Sequence, residues 1–241
     1  MQHPTVMLKF NQKLDQEIAW EFYCNQKIGG CDFWKERALR YHPGLSKIVL
    51  SKNPNKFLKT YISNFYRLHD IEIQKLAENT VKYFYEKHDD YFSTVNKIFN
   101  GYPWPKNKFI GYFSVFDFCP RFLSRGSFQV FIYDTKNIQL FTIFHELLHF
   151  IFYDFVKKSF PKIFRKMDTE KGKFWDLAEV FNVVIQDSND FIKLHRKIEN
   201  IGYPDHKDLI IKGKDLWQKN PNLNQWITGM MKIIQRQVFP W

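Results

Sequence analysis

The stretch from Ile138 to Val156 constrains the fold of this chain more than any other part of the sequence. It is 19 residues long and almost continuously apolar, and a helix that is apolar on nearly every face is a buried one. Inside it lies an H-E-L-L-H sequence that runs from His145 to His149. Residues four apart share one helix face, so both histidines can approach a single metal ion, with Glu146 beside them. Because isolated buried charge is very costly, the motif predicts a metal site in the core.

This stretch also allows two simpler interpretations. It can be a core helix whose histidines simply hydrogen-bond to neighbouring groups. It can also be a membrane span, since 19 residues approach the spanning length. The stretch carries His145, Glu146, His149 and Asp154, however, and the chain has no second apolar segment of similar length. We therefore expect no membrane span.

A third ligand is needed, because catalytic zinc sites combine three protein ligands with a water. The segment 174–185 has a helical apolar pattern that closely surrounds Glu179, which we take as this ligand. Asn182 and Asp176 lie one turn to either side, and either could accept the second ring N–H of a ligand histidine. Asp176 could equally be an exposed acid in the first helical turn. Glu170 is the rival ligand, but it lies among lysines in a segment that indicates a loop.

The two motifs together resemble those of the gluzincin metallopeptidases, the thermolysin-like and minigluzincin-like zincins with a Glu as third ligand. The resemblance covers roughly residues 70–200. It implies Zn²⁺ held by His145, His149 and Glu179, with Glu146 as general base and acid in the hydrolysis of a peptide bond. Two departures are visible. Twenty-nine residues separate His149 from Glu179, and Asn182 follows Glu179 by three where those enzymes have an Asp after four.

Hydrolysis of an amide also needs a donor for the developing oxyanion besides the metal. The candidates are His206 and Tyr203, which lie in a loop after the Glu179 helix, together with His195 and Tyr153. We predict His206 and Tyr203 as catalytic residues beside Glu146. Each could instead be an ordinary loop or surface residue.

The expected fold class is α+β with a zincin-like core. This core consists of a long backing helix, a small and mostly antiparallel sheet, the H-E-x-x-H helix and the Glu helix. Strands are predicted at 108–118 and 128–133, the second of which could pair with an extended peptide, and a short strand at 45–50. Residues 1–68 are predicted as an N-terminal helical extension, and residues 69–241 as the metallopeptidase domain with closing C-terminal helices.

Composition narrows the class of protein less than the motifs do. The formal net charge of +11 permits nucleic-acid binding, but the basic residues are spread widely and this function is not favoured. The densest basic run, 157–173, joins the two metal-ligand helices and indicates a solvated loop or a substrate-steering patch. The motifs are also compatible with an inactive zincin-like protein, or with one that acts on a non-peptide amide or ester. The oligomeric state cannot be inferred from the sequence.

Cysteine usage and the N-terminal sequence favour a cytoplasmic location. The first ten residues lack the apolar region of a signal peptide. The odd number of cysteines, Cys24, Cys31 and Cys119, forms no redox or zinc-finger pattern. The spacing between Cys24 and Cys31 is a weak signal of a second metal site.

Overall fold

The computed structural model describes residues 3–25, 32–198 and 202–236, which form an α+β structure dominated by helices. Cys31, and with it the Cys24–Cys31 pair, lies outside these residues. Short segments of π-helix and 3-10 helix lie between several of the α-helices. The strands are β1 (Thr5–Phe10), β2 (Lys108–Ser114), β3 (Arg121–Phe122) and β4 (Ser127–Phe131). The α-helices are α1 (Gln12–Ala19), α2 (Phe33–Tyr41), α3 (Pro54–Ile98), α4 (Lys136–Ser159), α5 (Pro161–Phe164), α6 (Lys173–Gln186), α7 (Asn189–His195), α8 (Lys207–Lys219) and α9 (Leu223–Arg236).

The chain divides into two compact units. The sheet unit contains residues 5–83 and 108–139, and the motif unit contains 84–107 and the described residues from 140 onward, with a few N-terminal residues. The predicted boundary between residues 68 and 69 lies inside α3, a single helix of 45 residues.

The sheet is mixed, and the prediction of a mostly antiparallel sheet is wrong. Its strand order is β1-β2-β4-β3, with β1 and β4 both parallel to β2 and only β3 antiparallel to β4. The segment 115–126 carries the chain back across the sheet, so β2 and β4 run the same way. The helical extension predicted for 1–68 contains β1, a strand that sequence analysis missed.

Strand β4 confirms the strand predicted at 128–133. It lies between β2 and β3, and all five of its residues are buried. It is therefore a core strand and not the open sheet edge that pairing with an extended peptide needs.

The strand predicted at 45–50 is wrong, because a 3-10 helix occupies Pro43–Leu50. Leu45 and Ile48 are buried, while Val49 and Leu50 are exposed. Buried positions three apart fit a 3-10 helix, whose turn contains three residues, better than the two-residue period of a strand.

Helix α4 contains the apolar stretch, as predicted. The Thr135 hydroxyl accepts the Ile138 amide (3.5 Å) and caps the start of this helix. At the other end Pro161 opens α5, consistent with its inability to continue a helix. In the motif unit the last turns of α3 pack on α4, where Tyr91 stacks on Phe144 (4.4 Å between centroids). None of the helices in the described part of the chain, α4 included, combines the length and apolarity that crossing a bilayer requires.

Helix α6 is held from behind by the two closing helices, which were predicted. Gly213 of α8 lies so close to α6 that a Cβ on it would be 3.0 Å from Val184 and 3.3 Å from Val180. Trp226 of α9 donates its indole N–H to the Gly213 carbonyl (2.9 Å), and its ring packs on Phe181. These contacts fix the helix that carries Glu179.

Candidate metal centre

The two motif histidines meet on one face of α4. Their Nε2 atoms are 3.0 Å apart, which follows from the four-residue spacing on a helix. The His149 side chain is fully buried, whereas the His145 side chain keeps 16% of its surface exposed. The pair is therefore reachable from solvent on the His145 side.

Glu179 brings a carboxylate from α6 to this pair. Its Oε1 lies 3.2 Å from Nε2 of His149 and its Oε2 lies 3.3 Å from Nε2 of His145. One ligand atom from each of the three residues lies within 4.8 Å of the others. The predicted rival, Glu170, is exposed in the segment before α6 and does not belong to this group.

The electrostatics of the cluster favour a charged carboxylate. Burial by itself raises the pKa of Glu179, but the positive potential of His149 and the close contacts with both imidazoles outweigh it. The pKa of Glu179 therefore lies well below its usual value. A carboxylate must be ionised to bind a metal, so this environment suits the role.

Gln186 contacts Nδ1 of His145, the ring nitrogen that does not face Glu179. Sequence analysis missed this residue. Its Oε1 is 3.0 Å from His145 Nδ1, and its Nε2 donates to the Phe141 carbonyl (2.9 Å). The predicted partner Asn182 instead donates its amide to the backbone carbonyl of His145 (2.9 Å). Glu179, Asn182 and Gln186 follow one another at spacings of three and four, which places all of them on one face of α6. That polar stripe in an apolar helix is the signal that could have revealed Gln186.

Asp176 pairs with His206, so both interpretations offered for this acid are wrong. Its Oδ1 lies 3.0 Å from His206 Nε2, and both side chains are buried. Asp176 is therefore neither the partner of a ligand histidine nor an exposed acid. It stands one turn before Glu179, so α6 presents the pair next to the ligand position.

The remaining candidates for oxyanion stabilisation differ in exposure and in hydrogen bonding. Tyr203 is half exposed, and its ring lies against Trp175 and His206. His195 is buried, with Nδ1 2.6 Å from the Arg196 carbonyl. The Tyr153 hydroxyl donates to the Thr169 carbonyl (2.8 Å), and its ring stacks on His149. Tyr153 therefore packs against the cluster and anchors the segment before α6.

The base candidate Glu146 is buried on α4, directly after His145 in the chain. It is 6% exposed, close to the value for Glu179.

The donor set suits a transition metal such as zinc, which takes imidazole nitrogen and carboxylate oxygen. Zinc bonds of 2.0–2.2 Å in a tetrahedron place neighbouring ligand atoms about 3.3–3.6 Å apart. The two Nε2 atoms are 3.0 Å apart, and each lies 3.2 or 3.3 Å from a different oxygen of Glu179, which is slightly shorter than or equal to this spacing. The three side chains therefore fit one shared metal ion.

No family model matches the chain, and the comparisons with curated proteins and with solved structures likewise give no match. The functional argument thus rests on the residues and their geometry.

Proposed function

We propose that this chain is a zinc-dependent metallopeptidase with a zincin-like core. The observation that carries the proposal is the meeting of His145, His149 and Glu179 at separations that suit one shared metal ion. The order of long helix, strands, motif helix and Glu helix also supports it. The peptide bond as substrate rests on the resemblance to gluzincins.

Zinc, when bound, would supply a Lewis acid and lower the pKa of a water toward about 7. Glu146 takes a proton from the attacking water and returns it to the leaving amine.

His206 is the stronger candidate for the oxyanion donor. Asp176 accepts from its Nε2, which orients the ring. Tyr203 lies against the same ring and is open to solvent, so a substrate could reach its hydroxyl. Loss of one such donor typically costs a few kcal/mol of transition-state stabilisation.

The test compares the purified protein with His149→Ala and Glu146→Gln, using zinc content and cleavage of casein and of a peptide library. We expect His149→Ala to lose both metal and hydrolysis. Glu146→Gln should keep the metal and lose hydrolysis, since the amide cannot take up a proton. Glu170→Gln, which changes an exposed acid outside the cluster, is the matched control and should keep both.

Full zinc loading of His149→Ala would contradict the ligand assignment. Wild-type protein that binds zinc and cleaves only small esters or non-peptide amides would replace the peptidase by a hydrolase of another substrate class. Steep salt-dependent retention on DNA or RNA, without hydrolysis, would favour a nucleic-acid-binding protein instead.

A further inference from the structure

Gln186 is a buried neutral side chain at the last residue of α6, with both ends of its amide engaged. It is 1% exposed, and it bridges α6 to α4 at two points. One point is the backbone carbonyl of Phe141, and the other is Nδ1 of His145.

The Phe141 contact determines which way round the amide stands. A backbone carbonyl can only accept a hydrogen bond, so the NH₂ of Gln186 must face Phe141. The amide oxygen then faces His145 at 3.0 Å, and an oxygen there can only accept. Nδ1 of His145 is therefore the donor and carries the ring proton.

We propose that Gln186 is a positioning residue that locks His145 in the tautomer with the proton on Nδ1. In a neutral imidazole this leaves the lone pair on Nε2, the atom that faces His149 and Glu179. The inference rests on the metal site of the proposed function and adds the residue that prepares one ligand before any ion arrives.

The first measurement is zinc affinity by chelator competition for the wild type, Gln186→Met and Gln186→Glu. Methionine keeps similar bulk but offers only a weak acceptor, so affinity should fall roughly 10–100-fold. Glutamate still accepts from His145, so its affinity should stay within about threefold of wild type or rise. The Gln186→Glu variant should also have a lower thermal stability, because the Phe141 carbonyl loses its donor. If zinc affinity depends on the acceptor at position 186 and not on the stability of the variant, Gln186 positions His145 and is not merely structural.

Gln139 provides the matched control, since it is also a buried glutamine but lies on α4. Its amide donates to the carbonyls of Phe131 and Ile132, and it accepts from Thr80. Gln139→Met should destabilise the protein as Gln186→Met does, but leave zinc affinity unchanged. Equal loss of affinity in the two methionine variants would overturn the proposal.

The second measurement uses metal-free protein, so it stands even if the enzyme claim fails. Imidazole ¹⁵N shifts, followed to a pH at which they no longer change, report the tautomer of neutral His145. We expect the proton on Nδ1 in the wild type and in Gln186→Glu, and an Nε2–H or mixed population in Gln186→Met. A wild-type proton on Nε2 would overturn the inference. Zinc binding without peptide hydrolysis would overturn the proposed activity alone.

Discussion

Two buried carboxylates, Glu179 in the motif unit and Asp15 in the sheet unit, are contacted by different kinds of neighbouring groups. Glu179 faces two imidazoles, groups that carry positive charge or share a cation. Asp15 faces neutral donors, among them the Tyr66 hydroxyl (2.7 Å), the Val115 amide (3.0 Å) and the Gln129 amide (2.6 Å).

The pKa values of the two acids shift in opposite directions. For Asp15, burial outweighs the hydrogen bonds from Val115, Tyr66 and Gln129 and raises the pKa to about 6. For Glu179, burial is outweighed by the histidines, and the pKa falls. Burial of a carboxylate therefore does not mark a metal site by itself. The neighbouring groups distinguish the two sites, because imidazole is a common metal ligand whereas the amides around Asp15 are not.

The largest expected effect comes from neutralising the two acids in turn. Glu179→Gln should weaken zinc binding by more than the roughly 10–100-fold that losing a hydrogen-bond partner of a ligand costs. Asp15→Asn should leave zinc binding unchanged. Calorimetric titration with zinc measures both. A comparable loss of zinc affinity in the two variants would contradict the assignment of Glu179 as a ligand and Asp15 as a structural acid.

A second prediction concerns the pH dependence of stability. The folded pKa of Asp15, about 6, lies above its ordinary value of 3.8, so the folded state binds the proton more tightly. This group should therefore lower the free energy of unfolding by about 3 kcal/mol as pH rises from about 4 to about 6, with no further change above that.

Asp15→Asn should remove this dependence. Asparagine still accepts from Val115 and Tyr66, and its NH₂ can meet Oε1 of Gln129, which is buried with no hydrogen-bond partner in the described part of the chain. Urea unfolding across this pH range provides the measurement. An equally steep fall in the variant would mean that other groups cause it.

The smallest effect is expected from removing one hydroxyl in each unit. Tyr66→Phe takes a donor from a charged, buried carboxylate and should cost about 2 kcal/mol at neutral pH. Tyr153→Phe removes only a bond to the Thr169 carbonyl and should cost about 1 kcal/mol. Denaturant midpoints of the two variants compare them directly, and a larger cost for Tyr153→Phe would reverse the order.

Local patterns predicted much of the structure around the candidate site. The apolar run of α4 and the apolar surroundings of Glu179 on α6 were visible in the sequence, and the structure brings Glu179 to both histidines. Its role as a zinc ligand stays a prediction. The helix spacing made the proximity of His145 and His149 predictable, because each helix arranges its own residues without help from distant parts of the chain. The approach of Glu179 was expected because a zinc site needs a third ligand.

Non-local contacts were beyond reach of the same patterns. Strand β1 gains its partner from β2, which follows α3 in the chain, and a short N-terminal segment carries no sign of that pairing. The pairing of Asp176 with His206 likewise joins two elements separated by α7. Gln186 was missed for a different reason. It opens a run of polar residues, which predicts a helix end, while its amide faces inward.

The close approach at Gly213 sets a tolerance for the candidate site. A methyl group there would force Val180 and Val184 to yield by a few tenths of an ångström. Metal–ligand bond lengths vary by only about 0.2 Å among well-formed sites. Val180 and Val184 belong to another face of the helix that carries Glu179, so a displacement of that helix would be passed to the carboxylate. The absence of a side chain at Gly213 thus fixes the distance between α8 and α6, and the alignment of the metal ligands depends on that distance.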